Sequence, residues 1–107
     1  MSIASVLPQD AERIKAEGNA LFGKGDYANA IDKYTTAISI VPDNAILYAN
    51  RSACYMALKR YGDARTDAKK ATELDPSYSK GWGRLGAAFE VTTNDSTLSP
   101  RPVIARV

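Results

Sequence analysis

The segment IVPDNAILYANRSACYMALKRYGDARTDAKKATELDPSY, residues 40–78, holds the deciding pattern. Its opening IVPDN returns as LDPSY, which sets Pro42 and Pro76 34 residues apart. The same shift brings Ala30 onto Ala64, Ala37 onto Ala71, Tyr48 onto Trp82 and Tyr55 onto Phe89. It also aligns Gly18, Ser52 and Gly86. Self-similarity at a fixed period marks a chain built from stacked supersecondary units.

A period of 34 residues with small side chains at fixed points and a closing proline is the tetratricopeptide pattern of paired helices. Two antiparallel helices can approach closely only where side chains are small. Gly18, Ala30, Ala37, Ser52, Ala64 and Ala71 fill that role, and Ile14, Leu21, Tyr34, Tyr48, Tyr55, Trp82, Leu85 and Phe89 fill the gaps beside them. GKGDY at 23–27 and KRYGD at 59–63 are the turns inside each pair, while Pro42 and Pro76 follow helices they cannot continue. Helices are therefore expected at 10–23, 27–40, 44–57, 61–74 and 78–90. The fold class is all-α, a right-handed superhelical array of two full repeats (about 11–44 and 45–78) and the first helix of a third (79–91), with the repeat domain spanning 10–90.

From Val91 the chain reads VTTNDSTLSPRPVIARV. Pro100 and Pro102 fall where a helix interior belongs, and Leu98 occupies the small-residue position of Ala30 and Ala64. Residues 91–107 are thus read as an atypical, non-repeat tail, and the closing helix of the third repeat is missing. Repeat arrays need a capping element with a polar outer face. The side of the last helix that carries Trp82, Leu85 and Phe89 is left uncovered, to be closed by Val103, Ile104 and Val107 of the tail or by a second chain in a homo-oligomer, and the abrupt change at Val91 reads equally as a tail foreign to the repeat domain, from a truncation or a misread gene boundary.

Composition narrows the function. The net charge is +2 and no basic stripe suggests nucleic acid. No run of about 18 apolar residues offers a membrane span, and MSIASVLPQDAER lacks the basic start and apolar core of a secretory leader. A cytoplasmic location follows by default. With no histidine, His-based triads and the commonest metal ligand are excluded. GKGDY lacks the spacing of a phosphate loop. The lone Cys54, within ACYMAL, reads as a buried structural thiol. Neither catalysis, a metal nor a cofactor is expected.

What remains is a set of polar residues on the first helix of each repeat. With repeats counted from Ala11, Ala45 and Ser79, positions 2, 5, 6 and 9 share one helical face. Among their polar residues are Lys15 and Asn19, then Asn50, then Lys80 and Arg84. Asparagine is a poor helix-interior residue, so two of them on one groove require a reason. Amide, ammonium and guanidinium donors converging on a groove suit a ligand with two adjacent carboxylates.

KAEGN at 15–19, NRS at 50–52 and KGWGR at 80–84 stand in the order and spacing of a known group. The chain resembles the carboxylate-clamp tetratricopeptide domains of heat-shock co-chaperones over roughly residues 10–90. NRSACYMALKRYGDA and YSKGWGRLGAAF resemble most the N-terminal domain of the fungal stress-inducible Hsp-organising co-chaperones. The resemblance implies an adaptor that binds the C-terminal peptide, ending Glu-Glu-Val-Asp, of heat-shock protein 70 or 90. Carried over by position, Lys15, Asn19, Asn50 and Lys80 would hold the terminal carboxylate and the aspartate side chain. Arg84 would assist, and Phe22 and Ala53 would contact the valine or residues upstream. The rival expectation is a self-associating scaffold, in which the incomplete third repeat abolishes tail binding.

Overall fold

The computed structural model describes residues 7–94. It contains five helices and, among the described residues, no strand: α1 Pro8–Gly23, α2 Tyr27–Ile40, α3 Ala45–Ala57, α4 Tyr61–Leu74 and α5 Ser79–Asn94. The all-α helix-pair expectation holds, with most ends within a residue or two of those read from the sequence. The exception is α5, which runs to Asn94 rather than Glu90, so the tail expected from Val91 begins inside a helix. The rest of that tail, with Val103, Ile104 and Val107, lies outside the described residues.

Local signals account for the helix ends. Pro8 occupies the first position of α1, where its missing N–H costs nothing, and the Asp10 carboxylate accepts from the Leu7 amide at 2.8 Å. Asp26 caps α2 by accepting from the Asn29 amide, and Asn44 caps α3 by accepting from the Ile46 amide. The two turns within pairs are copies of each other. The Asp26 amide donates to the Leu21 carbonyl and the Arg60 amide to the Tyr55 carbonyl, each reaching back across a left-handed residue. That residue is Gly25 at φ 80° in the first turn and Lys59 at φ 62° in the second.

Connections this short force neighbouring helices to run antiparallel, so α1, α3 and α5 point the same way. Their contacts repeat with the sequence. Ala30, Ala37, Ala64, Ala68 and Ala71 are wholly buried at helix crossings. A Cβ added to Gly18 would stand 2.8 Å from the Tyr34 ring. Ser52 tolerates its side chain because the hydroxyl donates to the Ala64 carbonyl at 2.7 Å. Tyr48 donates its hydroxyl to the Pro42 carbonyl, and Trp82, one period later, donates its indole N–H to the Pro76 carbonyl, both at 2.8 Å. Each aromatic has a polar end at the place where it packs over the loop.

Ion pairs recur with their signs reversed. Glu17 on α1 meets Lys33 on α2 at 3.1 Å, and one period on Arg51 on α3 meets Asp67 on α4 at 2.7 Å. The first pair is open to water. The second is enclosed and bidentate, with Arg51 Nε and Nη2 donating to the two oxygens of Asp67 at 2.7 and 2.8 Å. Arg51 Nη1 also donates to Thr35 of α2 at 3.0 Å, and the guanidinium lies between the rings of Tyr48 and Tyr55.

Cys54 is fully buried, as expected of a structural thiol. Burial pushes its pKa up from 9.0 to about 11, against a smaller opposing effect of the nearby Arg84 charge. Burial likewise raises the Tyr34 phenol from 10.0 to about 12, with Cys54 adding to the shift.

Two outcomes are expected. Asp67→Ala leaves the enclosed Arg51 guanidinium without its counter-ion and with Thr35 as its remaining hydrogen-bond partner, and should lower the free energy of unfolding by about 3–5 kcal/mol in urea titrations; a loss under about 1 kcal/mol would mean the pair is ornamental to stability. The folded protein holds the Cys54 and Tyr34 protons more tightly than the unfolded chain does. Their stabilisation is therefore complete below pH 9 and declines as pH rises from about 9 through about 11 and 12. Thermal melts should fall over that window, and Cys54→Ala should remove the part of the fall that begins near pH 9.

Candidate peptide-binding site

Three parallel helices contribute one face each to a cleft of about 150 Å³, lined by Asn19 and Phe22 of α1, Tyr34 of α2, Asn50 and Ala53 of α3, and Arg84 of α5. Five of the seven residues expected from the sequence therefore meet there. The volume is small beside the roughly 300–1,000 Å³ of drug-sized pockets. It suits a few polar atoms at the end of a longer ligand.

Lys15 and Lys80 do not line the cleft. Each stands one helical turn before a lining residue, Lys15 before Asn19 on α1 and Lys80 before Arg84 on α5, so both extend the site toward the N-terminal ends of these helices. Lys15 is largely covered, and its Nζ lies 3.2 Å from Glu12 Oε1. Glu12, three residues earlier on the same helix, stands at position 2 of the first repeat and so shares the groove face with Lys15. That carboxylate is exposed, so its hold on Lys15 is weak and a better-placed anion can displace it. Lys80 is exposed and Arg84 half-buried. Among the described residues no carboxylate stands within 4.0 Å of either cation.

The amides are fixed before any ligand arrives. Tyr34 donates its hydroxyl to Asn19 Oδ1 at 2.5 Å, and Asn50 Nδ2 donates to the same oxygen at 3.4 Å. Tyr34 is the lining residue that sequence reasoning did not place here, because the groove was drawn from first helices alone and Tyr34 lies on a second helix. A signal was available in the repeat. One period on, Asn19 becomes Ala53 and Tyr34 becomes Ala68, so the polar pair disappears together.

Phe22 is 37% exposed, with Tyr27 edge-on to it at a centroid distance of 5.3 Å. With the partly buried Ala53 it forms the apolar side of the cleft. The site thus combines amide donors and a guanidinium with two ammonium groups at one rim and an aromatic wall. Among the described residues no group of three or more Cys, Asp or Glu side chains is placed to hold a metal ion.

Comparison with known proteins agrees with this architecture. The family model for the TPR repeat matches residues 18–58 and that for the tetratricopeptide repeat matches residues 45–78. The heat shock protein sti1 homolog of Schizosaccharomyces pombe is 58% identical over 79 residues, which is 74% of this chain and 13% of that protein. This chain therefore spans about one-eighth of that relative's length. The second TPR of Spaghetti (RPAP3), solved bound to the HSP90 peptide SRMEEVD, superposes with a TM-score of 0.76 at 39% identity, covering 78% of each chain. The TPR2B domain of yeast Sti1, solved in complex with an Hsp70 peptide, superposes with a TM-score of 0.73 at 35% identity, covering 75% of this chain and 64% of that one. With its 34-residue period, paired helices and alanine-lined crossings, the chain belongs to the tetratricopeptide repeat family.

Proposed function

We propose that the chain is a non-catalytic co-chaperone adaptor module of the cytoplasm, which binds the C-terminal Glu-Glu-Val-Asp peptide of heat-shock protein 70 or 90. The observation that carries this reading is the acid-free cleft in which Asn19, Asn50 and Arg84 converge, with Lys15 and Lys80 at its rim. Two solved relatives at 35–39% identity hold chaperone peptides, one of them ending in Glu-Glu-Val-Asp. In this reading Lys15, Asn19, Asn50 and Lys80 hold the terminal carboxylate and the aspartate side chain. Arg84 donates to the peptide from the opposite wall, and Phe22 and Ala53 receive the valine. The unit that binds is the repeat domain of residues 10–90, with the tail beyond it playing no part in the clamp.

Charge-assisted hydrogen bonds contribute roughly 1.5–3 kcal/mol each. Offset by the ordering of a flexible peptide, several of them correspond to a Kd on the order of 1–100 μM. Titration with a peptide ending in Glu-Glu-Val-Asp should give this range, and C-terminal amidation should weaken it at least about tenfold. Binding should also weaken with added salt, because the groove is open to screening, and Lys80→Ala should reduce both the affinity and the salt dependence. Equal affinity for acid and amide, or no binding by a chain that remains helical, would refute the reading.

A second reading is self-association. It is favoured by a groove of about 620 Å³ between α4 and α5, whose walls include Arg65, Lys69, Trp82, Leu85 and Phe89. Trp82 is 51% exposed. Where Gly18 presses on Tyr34, nothing among the described residues stands within 4 Å of the position a Cβ would take on Gly86. Sedimentation equilibrium should then give a mass that rises with concentration, and Trp82→Ser should return the chain to monomer. A constant monomer mass would remove this reading without touching the first.

A further inference from the structure

The geometry points to Tyr34 as a positioning residue that sets the direction of the Asn19 amide, so that its N–H groups, and not its carbonyl, face an incoming carboxylate. The inference rests on the carboxylate-binding reading and adds to it a residue outside the first helices.

An asparagine side chain presents a donor end and an acceptor end of nearly equal size. Facing a carboxylate, the donor end attracts and the acceptor end repels, so a free amide would be a poor recognition group half of the time. At Asn19 the choice is made by its neighbours. Tyr34 is 1% exposed, and among the described residues its hydroxyl has Asn19 Oδ1 as its one hydrogen-bond partner, at 2.5 Å. A buried phenol O–H that loses its acceptor carries the cost of desolvation without return. Turning the Asn19 amide over would let Nδ2 donate to the phenol oxygen but leave the phenol O–H without its acceptor, and would also bring Nδ2 against Asn50 Nδ2, which now donates to the same oxygen at 3.4 Å. Both contacts hold Oδ1 inward, and both N–H groups of Nδ2 are left for the cleft.

The rest of the structure holds the phenol itself in place. The ring packs on Gly18, where a Cβ would meet it at 2.8 Å, so its position against α1 is set by backbone. Burial also lifts its pKa to about 12, which keeps the hydroxyl a donor throughout the ordinary pH range. The internal repeat supports the pairing. Where the second repeat has Ala53 in place of Asn19, it has Ala68 in place of Tyr34. Ala53 lines the same cleft but has no amide to orient.

Tyr34→Phe keeps the ring and removes only the hydroxyl. The test pairs two measurements on the whole chain. First, NMR of the Asn19 side-chain amide without ligand should show an ordered group in the unsubstituted chain and a mobile one in Tyr34→Phe. Equal order in both would overturn the inference whether or not any peptide binds. Second, the affinity for the acid peptide ending in Glu-Glu-Val-Asp should fall about three- to tenfold in Tyr34→Phe, as expected for losing the pre-organisation of one side chain. The same substitution placed on Asn19→Ala should cause no further fall. Should the unsubstituted chain bind and Tyr34→Phe bind equally well, the inference fails and the clamp stands. Should the unsubstituted chain not bind, the clamp reading fails and Tyr34's role toward a carboxylate falls with it. Should Tyr34→Phe not fold, the unsubstituted chain decides: a cross-peak between the Tyr34 hydroxyl proton and the Asn19 side chain supports the contact, and its absence overturns it.

Discussion

The enclosed ion pair between Arg51 and Asp67 is the constraint from which most of the remaining geometry follows. A guanidinium and a carboxylate lose much hydration on burial, and only close, bidentate contact compensates for it. Arg51 meets that demand with two bonds of 2.7 and 2.8 Å, and its remaining donor reaches Thr35. One side chain on α3 thereby ties α2 and α4 to it. The pair also sets the rotation of α3 about its own axis. Successive helical residues project about 100° apart, so once Arg51 is fixed between α2 and α4, its neighbours have no freedom left. Ser52 turns onto the Ala64 carbonyl and Asn50 turns into the cleft. The NRS triplet is therefore one orienting residue flanked by a packing residue and a recognition residue.

Comparing the repeats separates what the fold needs from what the site needs. The cross-helix ion pair exists twice with its charges exchanged, Glu17 with Lys33 and Arg51 with Asp67, so the position requires complementarity and not a particular sign. One period further, Leu85 stands where Glu17 and Arg51 stood, and it faces the open groove beside α4. The Arg65 guanidinium lies 4.0 Å from the centre of the Phe89 ring on that side and covers part of the apolar surface. Site residues do not repeat in this way. Asn19 is followed by Ala53, and Asn50 by Arg84, so each repeat supplies a different donor to one asymmetric cleft. A periodic scaffold presents an aperiodic set of donors, as recognition of a directional peptide end requires.

The helix pairs, their turns and most of the cleft were legible in the residues. The period of 34, the small residues at crossings and the groove positions of Asn19, Asn50 and Arg84 are encoded in spacing, and helical spacing converts directly into shared faces. Less legible was the end of α5. Thr92 to Asn94 fall, one period on, where Leu58 to Arg60 form a turn, yet they extend an existing helix, and adding a residue to a helix is easy where starting one is not. Glu12 was legible on the same face, at position 2 of the first repeat, while its 3.2 Å contact with Lys15 joins two flexible side chains whose reach spacing does not record.

The sequence by itself determined the class of structure, the five helices and the list of donors available to the groove, because these depend on periodicity within each helix. Only the tertiary structure decided which of those donors meet, and which way each one faces. Lys15 and Lys80 stand at the rim and Asn19, Asn50 and Arg84 inside it because the meeting point depends on how α1, α3 and α5 are packed through α2 and α4. The orientation of Asn19 depends on a phenol 15 residues away on another helix. Hydrogen-bond direction is set by partners in space, and sequence spacing along one helix carries no record of them.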